Sequence, residues 1–243
     1  MADDERTLQA KEDCLLGARF LWQELHDVWG HVSCRLPSGD GFALKMVRFS
    51  PDPKIDPDEV QVFNYDGKRL EGETSTPMEI TIHTEIFKMR PDVNSIIHAH
   101  PHVATALTTT GRNVFPITQQ SSTFREGFPM FRGNFIDGEI IAQELAEQLG
   151  KREAILMKGH GIVTAGSSVP GAFDTLMRVE QAATQITSAS MVGTPAVLPQ
   201  DMQDYRNSRN AEAAAPAAAG GDGWGRSSAL WQSLVWEWRQ SHR

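Results

Sequence analysis

Short segments typical of strands alternate along this chain with longer segments typical of helices, and no other feature constrains the fold as much. We predict helices over residues 7–28, 77–90, 102–110, 137–149 and 170–189. We predict strands over residues 31–36, 42–47, 60–63, 95–100, 113–118 and 154–157. Hairpins together with intervening helices indicate an α/β fold around a mixed sheet.

Turn and cap residues mark several boundaries. Thr76 suits a helix cap and Pro77 the first helical position, while Asp137 is predicted to cap the helix over 137–149. The proline-rich, acidic segment 51–58 is predicted to be a loop, and the pair Asp66-Gly67 a tight turn.

The composition changes near the end of the chain. We predict one domain over residues 1–210, followed over 211–243 by a flexible Ala- and Gly-rich linker and an aromatic helix. Trp231, Val235 and Trp238 fall on one face of that helix, which packs either on its own domain or on a neighbouring subunit or over a site.

Charge and cysteine content exclude several classes of protein. The formal charge of −8 and the lack of a basic block argue against nucleic acid as a partner. Two cysteines, Cys14 and Cys34, form no disulfide framework and suit a reducing compartment. No apolar run approaches the roughly 18 residues of a membrane span, and the acidic start is unlike a signal peptide. We therefore expect a cytoplasmic protein that does not bind membranes.

Three histidines lie where two predicted apolar strands end. His98 and His100 are two residues apart, so the strand period places both side chains on one face, and His160 lies between two glycines after the strand over 154–157. Three imidazoles from two strand ends can hold a divalent metal with a position left open for substrate. The alternative is that each histidine is an ordinary core or surface residue.

A carboxylate precedes this pattern on the predicted helix over 77–90. Glu79 lies near the start of that helix, four residues before His83, so the two side chains share a face. Glu79 either faces the metal as a general acid and base, or is an exposed helix-start residue beside a packed histidine. Spacing alone leaves both interpretations open.

Taken together, these motifs resemble the class II aldolase/adducin family over roughly residues 8–190. The resemblance is carried by Pro77-Met78-Glu79-Ile80-Thr81-Ile82-His83, Arg90-Pro91-Asp92-Val93, Ile97-His98-Ala99-His100-Pro101, Lys158-Gly159-His160-Gly161 and Gly30-His31-Val32-Ser33-Cys34-Arg35. It implies a three-layer α/β/α sandwich with a mostly antiparallel central sheet. It also implies a homotetramer with active sites at subunit interfaces.

The same resemblance implies roles for individual residues. His98, His100 and His160 are the expected ligands of one divalent ion, Zn, Mn, Co or Fe, in each subunit. Glu79 is the expected catalytic carboxylate, which binds the vacant metal or moves away to carry a proton.

Three departures from the sugar-phosphate aldolases change the expected reaction. Pro77 and Met78 stand where those enzymes have a serine pair that helps to bind phosphate, and neither can bind an anion through a hydroxyl. His31 replaces an asparagine. Gln119 stands where a neighbouring subunit supplies the tyrosine that donates a proton. Cleavage of a sugar phosphate is therefore not expected.

The form Gly-His-Val-Ser-x-Arg with His-Ala-His-Pro looks closer to the decarboxylase branch. That branch acts on hydroxylated aromatic or pyridine dicarboxylates and related oxo acids, through a metal-stabilised enolate. Glu79, His31 or His83 would then supply the proton to carbon. Arg35 is the first candidate for binding the second carboxylate, with Arg125 and Gln119 as further candidates and Arg35 equally explained as a structural ion pair. The tryptophans near the end, Trp231, Trp236 and Trp238, would close over a flat ring unless they pack in the core.

Two other functions stay open, and a third is disfavoured. An aldolase for a non-phosphorylated substrate is compatible with the intact histidines and Glu79. A non-haem iron oxygenase on the same fold is compatible with three imidazoles. An adducin-like, non-catalytic module is disfavoured, because such domains lose the metal ligands.

Overall fold

The computed structural model describes residues 2–47, 59–72, 76–125, 127–133, 135–214 and 229–241. The strands are β1 His31–Arg35, β2 Gly41–Met46, β3 Gln61–Asn64, β4 Arg69–Glu71, β5 Ser95–Ala99, β6 Met130–Phe131, β7 Ala154–Met157 and β8 Gly161–Gly166. The α-helices are α1 Ala2–Leu25, α2 Ile80–Met89, α3 His102–Thr109, α4 Glu139–Leu149, α5 Val169–Ser190, α6 Gln200–Ala214 and α7 Ala229–Ser241, and Gln119–Phe124 form a 3-10 helix.

The described strands form one sheet in the order β4-β3-β2-β1-β5-β8-β7-β6. Only β6 and β7 run parallel, so the sheet is mostly antiparallel as predicted. One hydrophobic core joins α1, α3, α5 and α7 to one face of the sheet, and a second joins α2 and α4 to the other. The predicted three-layer α/β/α sandwich is confirmed.

Strand alternation decides which side chains reach the α2 face. Val32 of β1 and Ile97 of β5 belong to the first core. Their neighbours point the opposite way, which places His31, Ser33 and His98 on the face that α2 covers. All three are buried, so these polar side chains lie between the sheet and α2 and not at the surface.

One strand prediction was wrong, and three strands, β4, β6 and β8, were missed. Residues 113–118 form no strand, because Pro116 has no N–H for a sheet ladder and its carbonyl instead accepts from Leu198 N at 2.8 Å. Strand β8 was not predicted, since glycines at both of its ends resemble turn residues. It pairs with both β5 and β7.

The predicted helix caps were also wrong. Helix α2 begins at Ile80 with Glu79 as its N-cap residue, after a turn in which Ile80 N donates to Pro77 O at 3.3 Å. Thr76 and Pro77 therefore precede the helix. Helix α4 begins at Glu139 with Gly138 as the cap residue and not Asp137.

The C-terminal helix packs on its own domain. The Trp231 ring lies between those of Phe20 and Phe173, with centroid separations of 5.0 and 5.7 Å. Trp238 packs partly against the same core, while Trp236 is exposed. Helix α6 continues to Ala214, beyond the predicted domain boundary at 210, and the rest of the predicted linker lies outside the described residues, as does the loop 51–58.

Among the described residues, no helix is long and apolar enough to cross a membrane.

Asp13 of α1 gives this fold a predictable dependence on pH. Asp13 is buried, with 8% of its surface exposed. Burial raises the pKa of the carboxyl to about 6 from 3.8, against a hydrogen bond from Gln9 that lowers it. Because the pKa is higher in the folded chain than in the unfolded chain, the free energy of unfolding falls as pH rises from 3.8 to about 6. At neutral pH this loss of stability is about 2–3 kcal/mol.

We expect Asp13→Asn to raise the free energy of unfolding at pH 7.5 by about 2 kcal/mol, because the amide is buried without a charge. The gain should shrink to a small fraction of this near pH 4, where the folded state binds the proton and the unfolded state binds it in part. Urea denaturation at the two pH values checks this. Asp40→Asn in the exposed β1–β2 turn is the control. An equal gain in stability from Asp13→Asn at both pH values would contradict the raised pKa of Asp13.

Candidate metal centre

The structure brings the three predicted ligands together at the C-terminal end of β5. His98 lies in β5, His100 directly follows it, and His160 lies in the turn between β7 and β8. Their ligand atoms all lie within 4.8 Å of one another. The ring centroids are 4.7 Å apart for His98 and His100, and 5.1 and 5.4 Å from each to His160. We call these three residues the histidine cluster.

Gly161 permits this close approach. A Cβ atom at this position would lie 2.5 Å from Ala99 O and 3.1 Å from His100 Cδ2. No side chain fits there without separating β5 from β8. The glycine after His160 is therefore required by packing against Ala99 and the other two histidines, which explains why the motif ends in glycine.

Glu79 faces the histidine cluster from the start of α2. Its Oε2 lies 3.2 Å from His98 Nε2, and its Oε1 lies 3.5 Å from His160 Nε2. Its side chain makes no cap hydrogen bond to α2, so the carboxylate is directed at the imidazoles. Burial alone would raise the pKa of Glu79, but the imidazoles of His160 and His98 outweigh this and hold the pKa well below its ordinary value.

The nitrogen atoms of the histidine cluster fit a divalent ion. His98 Nδ1 donates to Ile162 O at 3.0 Å, which leaves a lone pair on Nε2. That Nε2 atom is buried and faces Glu79 Oε2 without a well-directed hydrogen bond, and His160 presents its Nε2 to the same carboxylate. The ligand atoms of the three imidazoles lie within 4.8 Å of one another, close enough for one divalent ion to bind all three. Three imidazoles accept zinc, manganese, cobalt or iron.

A buried chain of side chains adjoins the cluster. His31 Nδ1 lies 2.6 Å from His83 Nε2, and His83 Nδ1 lies 2.6 Å from Ser33 Oγ. Burial, together with the neighbouring His83 and His98, lowers the pKa of His31 well below its ordinary value. Burial and His98 lower the pKa of His83 to about 3. Both rings are therefore neutral at pH 7, and each contact uses one N–H.

His31 belongs to the same site as Glu79. One ligand atom each of His31, Glu79 and His98 lie within 4.8 Å of one another. The predicted catalytic residues Glu79, His31 and His83 are thus brought together, with Glu79 beside the histidine cluster and His83 behind His31. Ser33 completes this chain and was not predicted, although its place two residues after His31 on a strand puts it on the same face.

Asp27 contacts the cluster and was also missed. Its Oδ2 accepts from His100 N at 2.6 Å, and its two oxygens lie 3.3 and 3.2 Å from His100 Nδ1. Burial would raise the pKa of Asp27, but the His100 ring and backbone N–H lower it to about 2. The sequence hint was an aspartate three residues before a glycine, which is typical of a side-chain-bonded turn.

Arg35 lies at the other end of β1 from His31. Its Nε donates to Val93 O at 3.1 Å, its Nη1 to Tyr65 Oη at 2.6 Å and its Nη2 to Phe87 O at 3.0 Å. The guanidinium also stacks on the Tyr65 and Phe87 rings. These contacts, with a further bond from Nη2 to Arg90 O at 3.2 Å, use most of its N–H donors within the chain, so substrate binding by Arg35 stays a prediction that this geometry disfavours. Among the described residues its contacts are with carbonyl groups and rings, and not the ion pair considered as the alternative.

Gln119 and Arg125 also lie away from the histidine cluster within this chain. Gln119 begins the 3-10 helix, is exposed, and belongs to an element that packs on α5 and α6. Arg125 follows that helix with φ of 46°, and its exposed guanidinium lies 4.0 Å from Asp204 Oδ1. Neither residue contacts the predicted ligands.

Comparisons with known proteins agree with this geometry. The model of the family described as Class II Aldolase and Adducin N-terminal domain matches residues 17–187. A protein of Arthrobacter keyseri named 3,4-dihydroxyphthalate decarboxylase is 29% identical over 179 residues, covering 67% of this chain and 71% of that protein. Other relatives carry sugar-phosphate aldolase names.

Two further comparisons bear on chemistry and fold. A protein of Streptomyces roseochromogenus subsp. oscitans named 4-hydroxy-3-prenylphenylpyruvate oxygenase/4-hydroxy-3-prenylbenzoate synthase is 36% identical over 95 residues, or 37% of this chain and 34% of that protein. The structure of L-fuculose 1-phosphate aldolase from Glaciozyma antarctica PI12 superposes with a TM-score of 0.76 at 20% identity, covering 98% of this chain and 92% of that chain. The last similarity concerns the fold alone.

Proposed function

The chain belongs to the class II aldolase and adducin family, and we propose that it is a metal-dependent decarboxylase of a hydroxylated aromatic or pyridine dicarboxylate, or of a related oxo acid. The family and the named relatives support a carbon–carbon lyase. His98, His100 and His160 are the proposed ligands of one divalent ion. Glu79 is the proposed acid and base, with His31 and His83 beside it.

The observation that carries the choice of substrate is the exposed Phe135 ring beside His160, which we group as an apolar rim with two exposed apolar residues that neighbour site residues in sequence. We define this rim as Trp29, Met78 and Phe135, whose residues are 73, 83 and 65% exposed. Trp29 lies two residues before His31, Met78 directly precedes Glu79, and the Phe135 ring centroid lies 6.0 Å from that of His160. Exposed rings and a thioether suit a flat substrate ring, and they carry neither a positive charge nor a hydroxyl to hold a phosphate.

The residues of the site divide the chemical work. A divalent ion held by the three imidazoles would supply a Lewis acid where negative charge develops. The ionised Glu79 accepts the substrate hydroxyl proton and returns a proton to the carbon that loses carbon dioxide. The electron pair of the broken carbon–carbon bond stays with the substrate, the proton from Glu79 takes the place of the carboxylate on carbon, and one proton from solvent restores the substrate hydroxyl. Neutral His31, held by His83, offers a fixed hydrogen bond at the same place.

The apolar rim gives a prediction for substrate affinity. We expect Phe135→Ala to raise KM for an aromatic substrate about tenfold with little change in kcat, because a ring contact contributes about 1–1.5 kcal/mol. Steady-state kinetics on purified, metal-loaded protein measure it. Trp236→Ala, which removes an exposed aromatic ring on α7, is the matched control. A KM unchanged within twofold would show that Phe135 does not touch the substrate.

Product analysis tests the proposed reaction. Metal-reconstituted protein is incubated with ortho-hydroxylated aromatic dicarboxylates, sugar phosphates and simple aldols, while carbon dioxide, aldehyde and dioxygen are measured together. The proposal requires carbon dioxide without aldehyde or dioxygen uptake. Aldehyde without carbon dioxide would instead establish an aldolase, and dioxygen uptake an iron oxygenase of the kind that the Streptomyces relative's name describes.

We also propose a cytoplasmic homotetramer, as the family resemblance implies. In such an assembly the exposed Gln119 and Arg125 would reach the site of a neighbouring subunit. Light scattering on the full chain measures the assembly state. A monomer with full activity would remove both residues from the site.

A further inference from the structure

Asp27 joins the loop after α1 to the residue that follows β5. Its side chain is 1% exposed. One oxygen accepts from Trp29 N at 2.9 Å and Gly30 N at 3.0 Å, and the other accepts from His100 N at 2.6 Å. Both oxygens also lie within 3.3 Å of His100 Nδ1. The carboxylate is therefore held on three sides and has little freedom to move.

We propose that Asp27 is a positioning residue of the metal centre, which orients the His100 imidazole for metal binding. The proposal rests on the ligand set proposed above. Asp27 itself would not touch the ion or the substrate, and it acts only through His100.

The need for such a residue follows from where β5 ends. His98 lies within the strand, where pairing with β1 and β8 fixes its backbone, and its Nδ1 is held by Ile162 O. His100 lies beyond Ala99, the last residue of β5, so the sheet no longer fixes it. The contacts of Asp27 replace both constraints, one at the backbone N–H and one at the ring.

The ring contact also selects the tautomer. A carboxylate beside Nδ1 stabilises the N–H form at that atom and leaves the lone pair on Nε2 for a metal. A carboxylate bonded to a ligand imidazole also makes the imidazole more basic and so a better ligand. His160, whose buried Nδ1 has no such partner, lacks this support.

Gly30 shows that the chain makes room for this contact. A Cβ atom at Gly30 would lie 2.9 Å from Asp27 Oδ2 and 3.0 Å from His98 O. The carboxylate therefore occupies space that any other residue at position 30 would fill. The Gly-His motif that begins β1 thus serves Asp27 as well as His31.

Zinc affinity of Asp27→Asn tests the proposal without any substrate. The affinity of the full chain for Zn²⁺ is measured by chelator competition, and Co²⁺ is added separately to record the visible spectrum. We expect the Kd for Zn²⁺ to rise about 10- to 100-fold and the Co²⁺ bands to shift, since the effect acts on a ligand. Asp13→Asn, which changes another buried aspartate, is the matched control and should bind both metals like the unmodified chain.

Circular dichroism confirms that each variant is folded at the temperature used. A Kd within twofold of the unmodified chain with an unchanged Co²⁺ spectrum would overturn the role of Asp27. If the unmodified chain itself bound no metal, the proposed function would fail together with this inference. If the unmodified chain and Asp27→Asn bound equally well, only the inference would fail.

Discussion

Replacing His98 or His160 by alanine is expected to abolish stoichiometric metal binding and to lower turnover by at least about a thousandfold. A Lewis acid contributes several kcal/mol to the transition state, and each 1.4 kcal/mol is about a factor of ten. Two remaining imidazoles cannot hold an ion as three do. Because His98 is fully buried, its loss could also disturb packing, whereas His160 lies half-buried in a turn. The two variants therefore separate metal binding from folding.

Metal content per folded chain, measured by inductively coupled plasma mass spectrometry, checks the first prediction. His102→Ala is the matched control, because His102 is an exposed histidine on α3 two residues beyond the cluster. It should keep one equivalent of metal and full turnover. Stoichiometric metal in both the His98 and the His160 variants would refute the ligand set.

Glu79→Gln is expected to keep the metal and the fold but to lower kcat about 10²- to 10⁴-fold, the usual contribution of a positioned acid and base. Glutamine has the same shape but neither accepts nor returns the proton. The neighbouring His160 and His98 hold the pKa of Glu79 well below its ordinary value against the effect of burial, so the carboxylate is ionised at neutral pH and ready to accept.

Glu85→Gln controls for the loss of a buried charge on the same helix. Glu85 lies on α2, is buried, and pairs with Lys88 at 2.8 Å away from the cluster. Its variant should turn over substrate at the normal rate. Steady-state kinetics on metal-loaded samples decide the matter, and near-normal turnover of Glu79→Gln would remove its catalytic role.

The histidine cluster could be predicted from sequence because its geometry depends on short-range rules. His98 and His100 are two residues apart on or just after β5, so the strand period places them on one face. His160 follows β7, which lies two strands away from β5 in the sheet. Glycine at 161 indicated a close approach, and the structure shows which atoms approach. Alternating helices and strands predicted only an α/β fold around a mixed sheet, whereas the three layers were implied by the family resemblance.

The supporting residues could not be predicted because their partners are distant in sequence. Asp27 meets His100 across 73 positions, and Arg35 meets Phe87 across 52. Arg35 was expected at the site from its charge alone, but the period of a strand fixes a face and not an end. The helix cap was likewise predicted at Thr76 from local preference alone. The helix instead has Glu79 as its cap residue, whose side chain contacts His98, far away in sequence.

A metal titration decides whether the reaction depends on the metal. Metal-free chain is titrated with a divalent ion while bound metal and carbon dioxide release are measured in the same samples. We expect no release without metal, and release that rises in proportion to occupancy and stops at one equivalent per chain. Undiminished carbon dioxide release by chain stripped of metal with a chelator would contradict this expectation.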